Sequence, residues 1–147
     1  RGISIQESFG SIVAQVVEVT VAGKEISVDR VVAVIDPGLA IAPDGIAAQI
    51  ESGINYGLSA ALYGEISIKH GAVVESNFHD YQTLRMPDAP KIETHVINSG
   101  HEIGGAGEPG TPGIAPALVN AFYDATGIRV RKLPLKKSIE QVSTLNL

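Results

Sequence analysis

The sequence predicts an α+β fold, a mixed β-sheet with two main helices packed on it, and three observations carry that expectation. Two runs rich in β-branched residues, Ser11 to Val21 and Glu25 to Ile35, flank a short Ala22-Gly23-Lys24 turn. Between Pro43 and Tyr63, apolar residues recur at three- and four-residue spacing. A second stretch of that kind, Gly113 to Thr126, follows a glycine-rich loop. β-Branched side chains suit a pleated, half-buried surface, whereas the longer spacing is the period of an amphipathic helix.

Bulk properties narrow the function classes. A chain of 147 residues with 44% hydrophobic content and a net charge of -5 is one domain with enough apolar surface for a core. Its 11 Lys+Arg against 16 Asp+Glu argue against a nucleic-acid surface, and an aromatic share of 5% with no Trp offers no platform for stacking bases. The absence of Cys excludes disulfides and thiolate metal sites. No apolar run approaches the roughly 20 residues that span a bilayer. The opening Arg1-Gly2-Ile3 has neither an initiator methionine nor the character of a signal peptide, so the chain is expected to be a piece of a longer one. Its compartment, cytoplasmic or periplasmic, is left open.

Each element has a local reason. Val13, Val17, Val19 and Val21 make the first strand, and Ile26, Val28, Val31, Val32 and Val34 the second, joined as a hairpin. Asp36-Pro37-Gly38 should stop the sheet, because proline removes a ladder donor and glycine allows a left-handed turn. Pro43 and Gly64 punctuate the first helix. Gly53 and Gly57 inside it each cost on the order of 1 kcal/mol relative to alanine, so close backbone packing is expected there. Two short strands, Glu65 to Lys69 and Ala72 to Glu75, should turn at His70-Gly71. Asn77-Phe78-His79-Asp80-Tyr81 reads as a loop held by its own polar groups. The prolines of Arg85-Met86-Pro87-Asp88-Ala89-Pro90 favour an extended linker. Ile92 to Ile97 alternates as a strand. For the second helix, Thr111 is the expected N-cap and Gly127 the expected C′ residue. A last short strand is expected over Ile128 to Leu133, and residues 136–147 read as a polar tail with little to bury.

Most familiar chemistries lack their signal. The four histidines, His70, His79, His95 and His101, have no short metal-ligand spacing. There is no Gly-x-Ser-x-Gly elbow, no Lys-Ser/Thr ending of a phosphate-binding loop, and only part of a dinucleotide fingerprint. What remains is the run Gly104-Gly105-Ala106-Gly107-Glu108-Pro109-Gly110-Thr111-Pro112. Its glycines permit close backbone approach, its prolines stiffen the chain, and one carboxylate is presented between them. In a dry environment Glu108 would titrate high enough to act as a general base. In the first turn of a helix it would instead be a solvated residue favouring the dipole.

That run, together with Ile114-Ala115-Pro116-Ala117-Leu118-Val119-Asn120-Ala121 and the stretch from Ala125 to Leu135, closely resembles the C-terminal end of the molybdopterin-binding subunit of the xanthine dehydrogenase/aldehyde oxidase family, isoquinoline 1-oxidoreductase β-subunit type. Ser8-Phe9-Gly10-Ser11, Ala14-Gln15-Val16-Val17-Glu18-Val19, Asp36-Pro37-Gly38, Ala48-Gln49-Ile50-Glu51-Ser52-Gly53 and Asn77-Phe78-His79-Asp80-Tyr81 agree with it in order. The resemblance covers nearly the whole chain up to Leu135.

The resemblance implies a molybdenum-cofactor-binding domain spanning 1–135. It implies that Glu108 is the base that deprotonates a water-derived nucleophile as an aldehyde or N-heterocycle is oxidised at an electron-poor carbon. Gln49 matches a glutamine that contacts the pterin, and Gly53, Gly105 and Gly107 are the accompanying cofactor-binding positions. Molybdopterin cytosine dinucleotide with molybdenum is the implied cofactor. The remainder of the large subunit and an iron-sulfur subunit are the implied partners, with a cytochrome as a further candidate. Ser52 stands where the family usually has glycine, and Pro37 where it has Cys or Val; neither change removes a reacting group. Family subunits are several times longer, so the isolated chain is expected to be inert. The alternative is a non-catalytic module retained for assembly with an electron-transfer subunit.

Overall fold

The computed structural model describes residues 1–143. Its centre is a four-stranded sheet in the order β1-β2-β3-β6, built from β1 (Gly2–Ser8), β2 (Ser11–Ala22), β3 (Glu25–Asp36) and β6 (Lys91–Val96). The first three strands form an antiparallel meander, and β6 runs parallel to β3. A small hairpin of β4 (Ile68–Lys69) and β5 (Ala72–Val73) stands apart. The sheet is mixed, as the sequence predicts.

Alternation along the strands decides which face is covered. Val13, Gln15 and Val17 on β2, with Val31, Ala33 and Ile35 on β3, are fully buried. A register shift opposite Glu18 and Val19 accommodates one extra residue, Asp29, so Val28 and Val31 both point inward despite their odd spacing. Helix α1 (Pro43–Tyr63) packs on β6, and α2 (Ile114–Thr126) covers β1 and β2. On the opposite face Ile3, Ile5 and Ile12 remain exposed, at 63%, 72% and 47%.

Helix α1 has the bounds the sequence predicts. Ile50, Ile54 and Leu58 are fully buried along it, each stabilising by about 2 kcal/mol, which outweighs about 1 kcal/mol for each internal glycine. The glycines face protein. A Cβ on Gly57 would stand 2.4 Å from Ile114 Cγ2, and one on Gly53 would stand 3.1 Å from Thr111 Oγ1.

Several expectations are corrected. Gly2–Ser8 forms an edge strand that its residue pattern does not announce. Within the expected extended linker, Met86–Asp88 makes one 3₁₀ turn. Residues 128–133 are irregular; Ile128 and Val130 pack against the core without a strand to pair with. The N-cap of α2 is Gly113 without a side-chain cap, because Thr111 directs its hydroxyl to the Gly53 carbonyl at 3.2 Å instead. Gly127 does close α2 in the left-handed region, at φ 72°.

In place of a polar tail there is a third helix, α3 (Leu135–Ser143). Leu135 and Ile139, one helical turn apart, are buried in the core, and the helix packs on α1. Residues 144–147 of the expected tail lie outside the described residues. Among the described residues, no helix is long and apolar enough to cross a membrane.

Candidate functional site

The glycine loop sits at the end of the sheet where β1 turns into β2. That turn is Phe9-Gly10, with φ of 56° and 74°, both in the left-handed region. It brings the Phe9 carbonyl to the Gly105 amide at 2.7 Å, and the Gly104 amide reaches Pro37 O at 2.9 Å. Gly104 lies flat against the hairpin: a Cβ there would stand 2.4 Å from both Gly10 O and Ser11 Oγ.

Polar side chains on the covered face of β1 and β2 hold the remainder of the loop. Ser11 Oγ donates to Gly105 O at 2.6 Å, Gln6 Nε2 to Pro109 O at 2.8 Å, Gln15 Nε2 to Gly110 O at 2.7 Å and Ser4 Oγ to Gly113 O at 2.7 Å. Helix α1 closes the other side, where a Cβ on Gly110 would lie 2.8 Å from Ile50 O. Pro109 and Gly110 are therefore buried, while Gly107 and Glu108 next to them are exposed.

Glu108 projects from this seat without a side-chain partner among the described residues, and its carbonyl accepts from the Thr111 amide at 2.9 Å. It lies six residues ahead of α2, so the dipole-favouring position in a first helical turn is not the one it occupies. The dry surroundings considered for it are not supplied by these residues either. The amides of Ala106, Gly107 and Glu108 make no hydrogen bond among the described residues, and a Cβ on Gly107 would meet nothing within 4 Å. Gly105 has a different surrounding, with Phe9 Cβ 3.0 Å from where its own Cβ would be.

Gln49 is exposed on α1 immediately before Ile50, the residue against Gly110. Gln49 and Glu108 thus stand on neighbouring segments at one edge of the domain. Gly53 is buried, and the close approach expected of it is made to Thr111 rather than to open ligand space. A cavity of about 540 Å³ lies at the other end of β2, among Thr20, Glu25, Asp29, Tyr63 and Lys136, remote from Glu108.

The Asp36 turn supports the loop from a third side. Asp36 Oδ1 accepts from Ser99 Oγ at 2.8 Å and from the Gly38 amide at 3.0 Å, and these bonds hold the carboxyl below its ordinary range. Sequence reasoning did not single out Ser4, Gln6, Ser11 or Gln15 as supports. Their only local signal is polarity at alternate strand positions that face the core.

The fold is thus a mixed-sheet domain that clamps a glycine loop and leaves three of its amides and one carboxylate outward. The chain belongs to the molybdopterin cofactor-binding domain family, whose model matches residues 6–90, a stretch that holds Gln49 and Gly53 and ends ahead of Glu108. It is 39% identical over 117 residues to the beta subunit of isoquinoline 1-oxidoreductase from Brevundimonas diminuta, covering 80% of this chain and 15% of that protein. The aldehyde oxidoreductase molybdenum-binding subunit PaoC of Escherichia coli is 34% identical over 119 residues, with 76% and 16% covered. Among solved structures, Cu,Mo-CO dehydrogenase superposes with a TM-score of 0.77 at 23% identity, over 92% of this chain and 18% of that one. Quinoline 2-oxidoreductase from Pseudomonas putida 86 gives 0.76 at 24% identity, over 89% and 18%. At these identities the structural likeness is one of fold. The chain spans a small part of the length of each.

Proposed function

We propose that this chain is the part of a molybdenum hydroxylase that carries its general base, Glu108, and one of its pterin-contacting side chains, Gln49. The observation that carries the reading is the contrast inside a few residues: the loop backbone is fixed on both sides, yet the Glu108 carboxylate is free and exposed. A base must be held where its proton will be, and it must not be spent on an internal partner.

The residues present suit the family's cofactor on one side. Free amides at Ala106, Gly107 and Glu108 offer donors to an oxygen-rich group, and open space at Gly107 permits its approach. Gln49 adds an amide that can both donate and accept. When bound, the molybdenum cofactor supplies the electron-accepting centre of the oxidation. Glu108 takes the proton from the water-derived oxygen nucleophile on its carboxylate oxygen and so makes that oxygen a better attacker. The cofactor is the cytosine dinucleotide form, and the substrate an aldehyde or N-heterocycle. Electrons leave through an iron-sulfur subunit, with a cytochrome as a further candidate carrier. The remainder of the large subunit completes the pocket, and the open apolar face of Ile3, Ile5 and Ile12 supports packing of this chain against other protein.

Glu108→Gln in the complete subunit tests the base directly. Substrate-driven reduction of the metal should fall by roughly 10²–10⁴-fold while molybdenum and pterin content stay unchanged. Full activity in that variant would overturn the assignment and favour a non-catalytic assembly role.

A further inference from the structure

Gln15 is unusual for its place. It lies on the covered face of β2 between Val13 and Val17, all three fully buried, where an apolar side chain would pack without any polar group to satisfy. Its Nε2 donates to Gly110 O at 2.7 Å, and its Oε1 has no hydrogen-bond partner among the described residues. An unpartnered buried acceptor costs roughly 1–3 kcal/mol. The fold carries that cost next to the loop that bears Glu108. The segment has also been shaped around Gln15, since a Cβ on Gly113 would stand 2.7 Å from Gln15 Oε1.

We infer that Gln15 is a positioning residue for Glu108, acting with Gln6 through the two carbonyls that follow the carboxylate. Resting on the reading of Glu108 as the base, this inference assigns its aim to the β1–β2 hairpin rather than to the stiffness of its own glycines and prolines. Beyond the Gly104 and Gly105 amides, the loop is held through carbonyls: those of Gly105, Pro109, Gly110 and Gly113 each accept from a strand side chain. Its amides at 106–108 are thereby left outward. Pro109 follows Glu108 directly, and Gly110 is the next residue, so the bonds from Gln6 and Gln15 fix the second and third peptide groups after the carboxylate, and the first is held by the Thr111 amide. Both donors come from strands that sit about a hundred residues earlier in the chain, at separations of 103 and 95. Rigid strands hold a side chain more accurately than a loop does, and a misplacement near 1 Å can lower a rate about 10²-fold.

The test uses the complete enzyme with Gln15→Met, which keeps length and cannot donate. Exchange of the loop amides that are hydrogen-bonded, those of Gly104, Gly105 and Thr111, should speed up at least about tenfold, whether or not substrate is present. The kcat should fall by about 10- to 100-fold with KM and cofactor content unchanged. Gln6→Met, at a half-buried position, should move both readouts in the same direction by less, and it carries the test if Gln15→Met does not fold. Glu108→Gln separates the two ideas, because it should remove activity and leave exchange in the loop as it was. Unchanged exchange in the Gln15 and Gln6 variants would overturn the support role. Faster exchange with unaltered kcat would overturn its link to Glu108. Full activity of Glu108→Gln would overturn the base alone.

Discussion

The β1–β2 and β4–β5 hairpins turn on the same backbone device and are held by opposite means. Phe9-Gly10 has φ of 56° and 74°, and His70-Gly71 has 52° and 80°, so both pair a non-glycine residue with a glycine in the left-handed region. The first hairpin is anchored by bonds to carbonyls 94 to 109 residues away. Around the second, the bonds are local: Glu75 accepts from the Ser67 amide eight residues back, and Asp80 accepts from Ser76 and Asn77 within four. Turn chemistry makes a hairpin in either setting. What the hairpin then supports depends on residues the turn does not know about.

The largest test of that difference is Gly104→Ala. Its methyl group would stand 2.4 Å from Gly10 O, a backbone atom, so the loop and the hairpin could not both keep their places. A loss of roughly 3 kcal/mol is expected, lowering the thermal midpoint by roughly 6–12 °C. A shift below roughly 2 °C would mean that the seat gives way easily.

The intermediate test compares the two turn glycines. At Gly10 and Gly71 a Cβ meets nothing closer than 3.5 Å, so alanine brings only left-handed strain, about 1 kcal/mol. Gly10→Ala should lower the global midpoint by roughly 2–4 °C. For Gly71→Ala the strain should be relieved by local fraying of β4–β5, leaving the global midpoint within about 1 °C. Equal global shifts would erase the distinction.

The smallest effect is a pH response at Asp80 in the second region. Amide donors from Asn77, then Ser76, hold Asp80 down to about 2, against an ordinary 3.8. A lowered carboxyl stabilises its loop fully above the ordinary value and loses that contribution as pH falls towards about 2. The Ser76 and Asn77 amide resonances should therefore shift between about pH 4 and pH 2. Asp80→Asn should remove the response; its persistence would assign it elsewhere.

The same contrast explains what could be read in advance. Strands β2 and β3, helix α1 and the β4–β5 turn follow from local patterns, and Gly127 ends α2 where expected. Strand β1 was hidden because Ser4 and Gln6 point to the covered face while Ile3 and Ile5 point outward, the reverse of ordinary alternation. Helix α3 was masked by Lys136 and Lys137 between the buried Leu135 and Ile139. Thr111 looked like a cap because its competing acceptor, Gly53 O, lies 58 residues away. Glu108 and Gln49 were legible as candidates through the ordered motifs of the family resemblance. Gln15 was not, since nothing near it in the chain says that it will meet Gly110.

The parallel pairing of β3 with β6, and the docking of α2 on β1, also set an order of events during synthesis. The meander β1–β3 can form as soon as it emerges, but the helix that covers its first two strands is made some hundred residues later; Ser4 waits 109 residues for its partner at Gly113. Until then a sheet with two bare apolar faces must avoid other chains, which is the interval when aggregation competes with folding. The helix that covers β1 and β2 begins six residues after Glu108. Covering β1 and β2 with α2 therefore also draws the Pro109 and Gly110 carbonyls beside Glu108 onto Gln6 and Gln15.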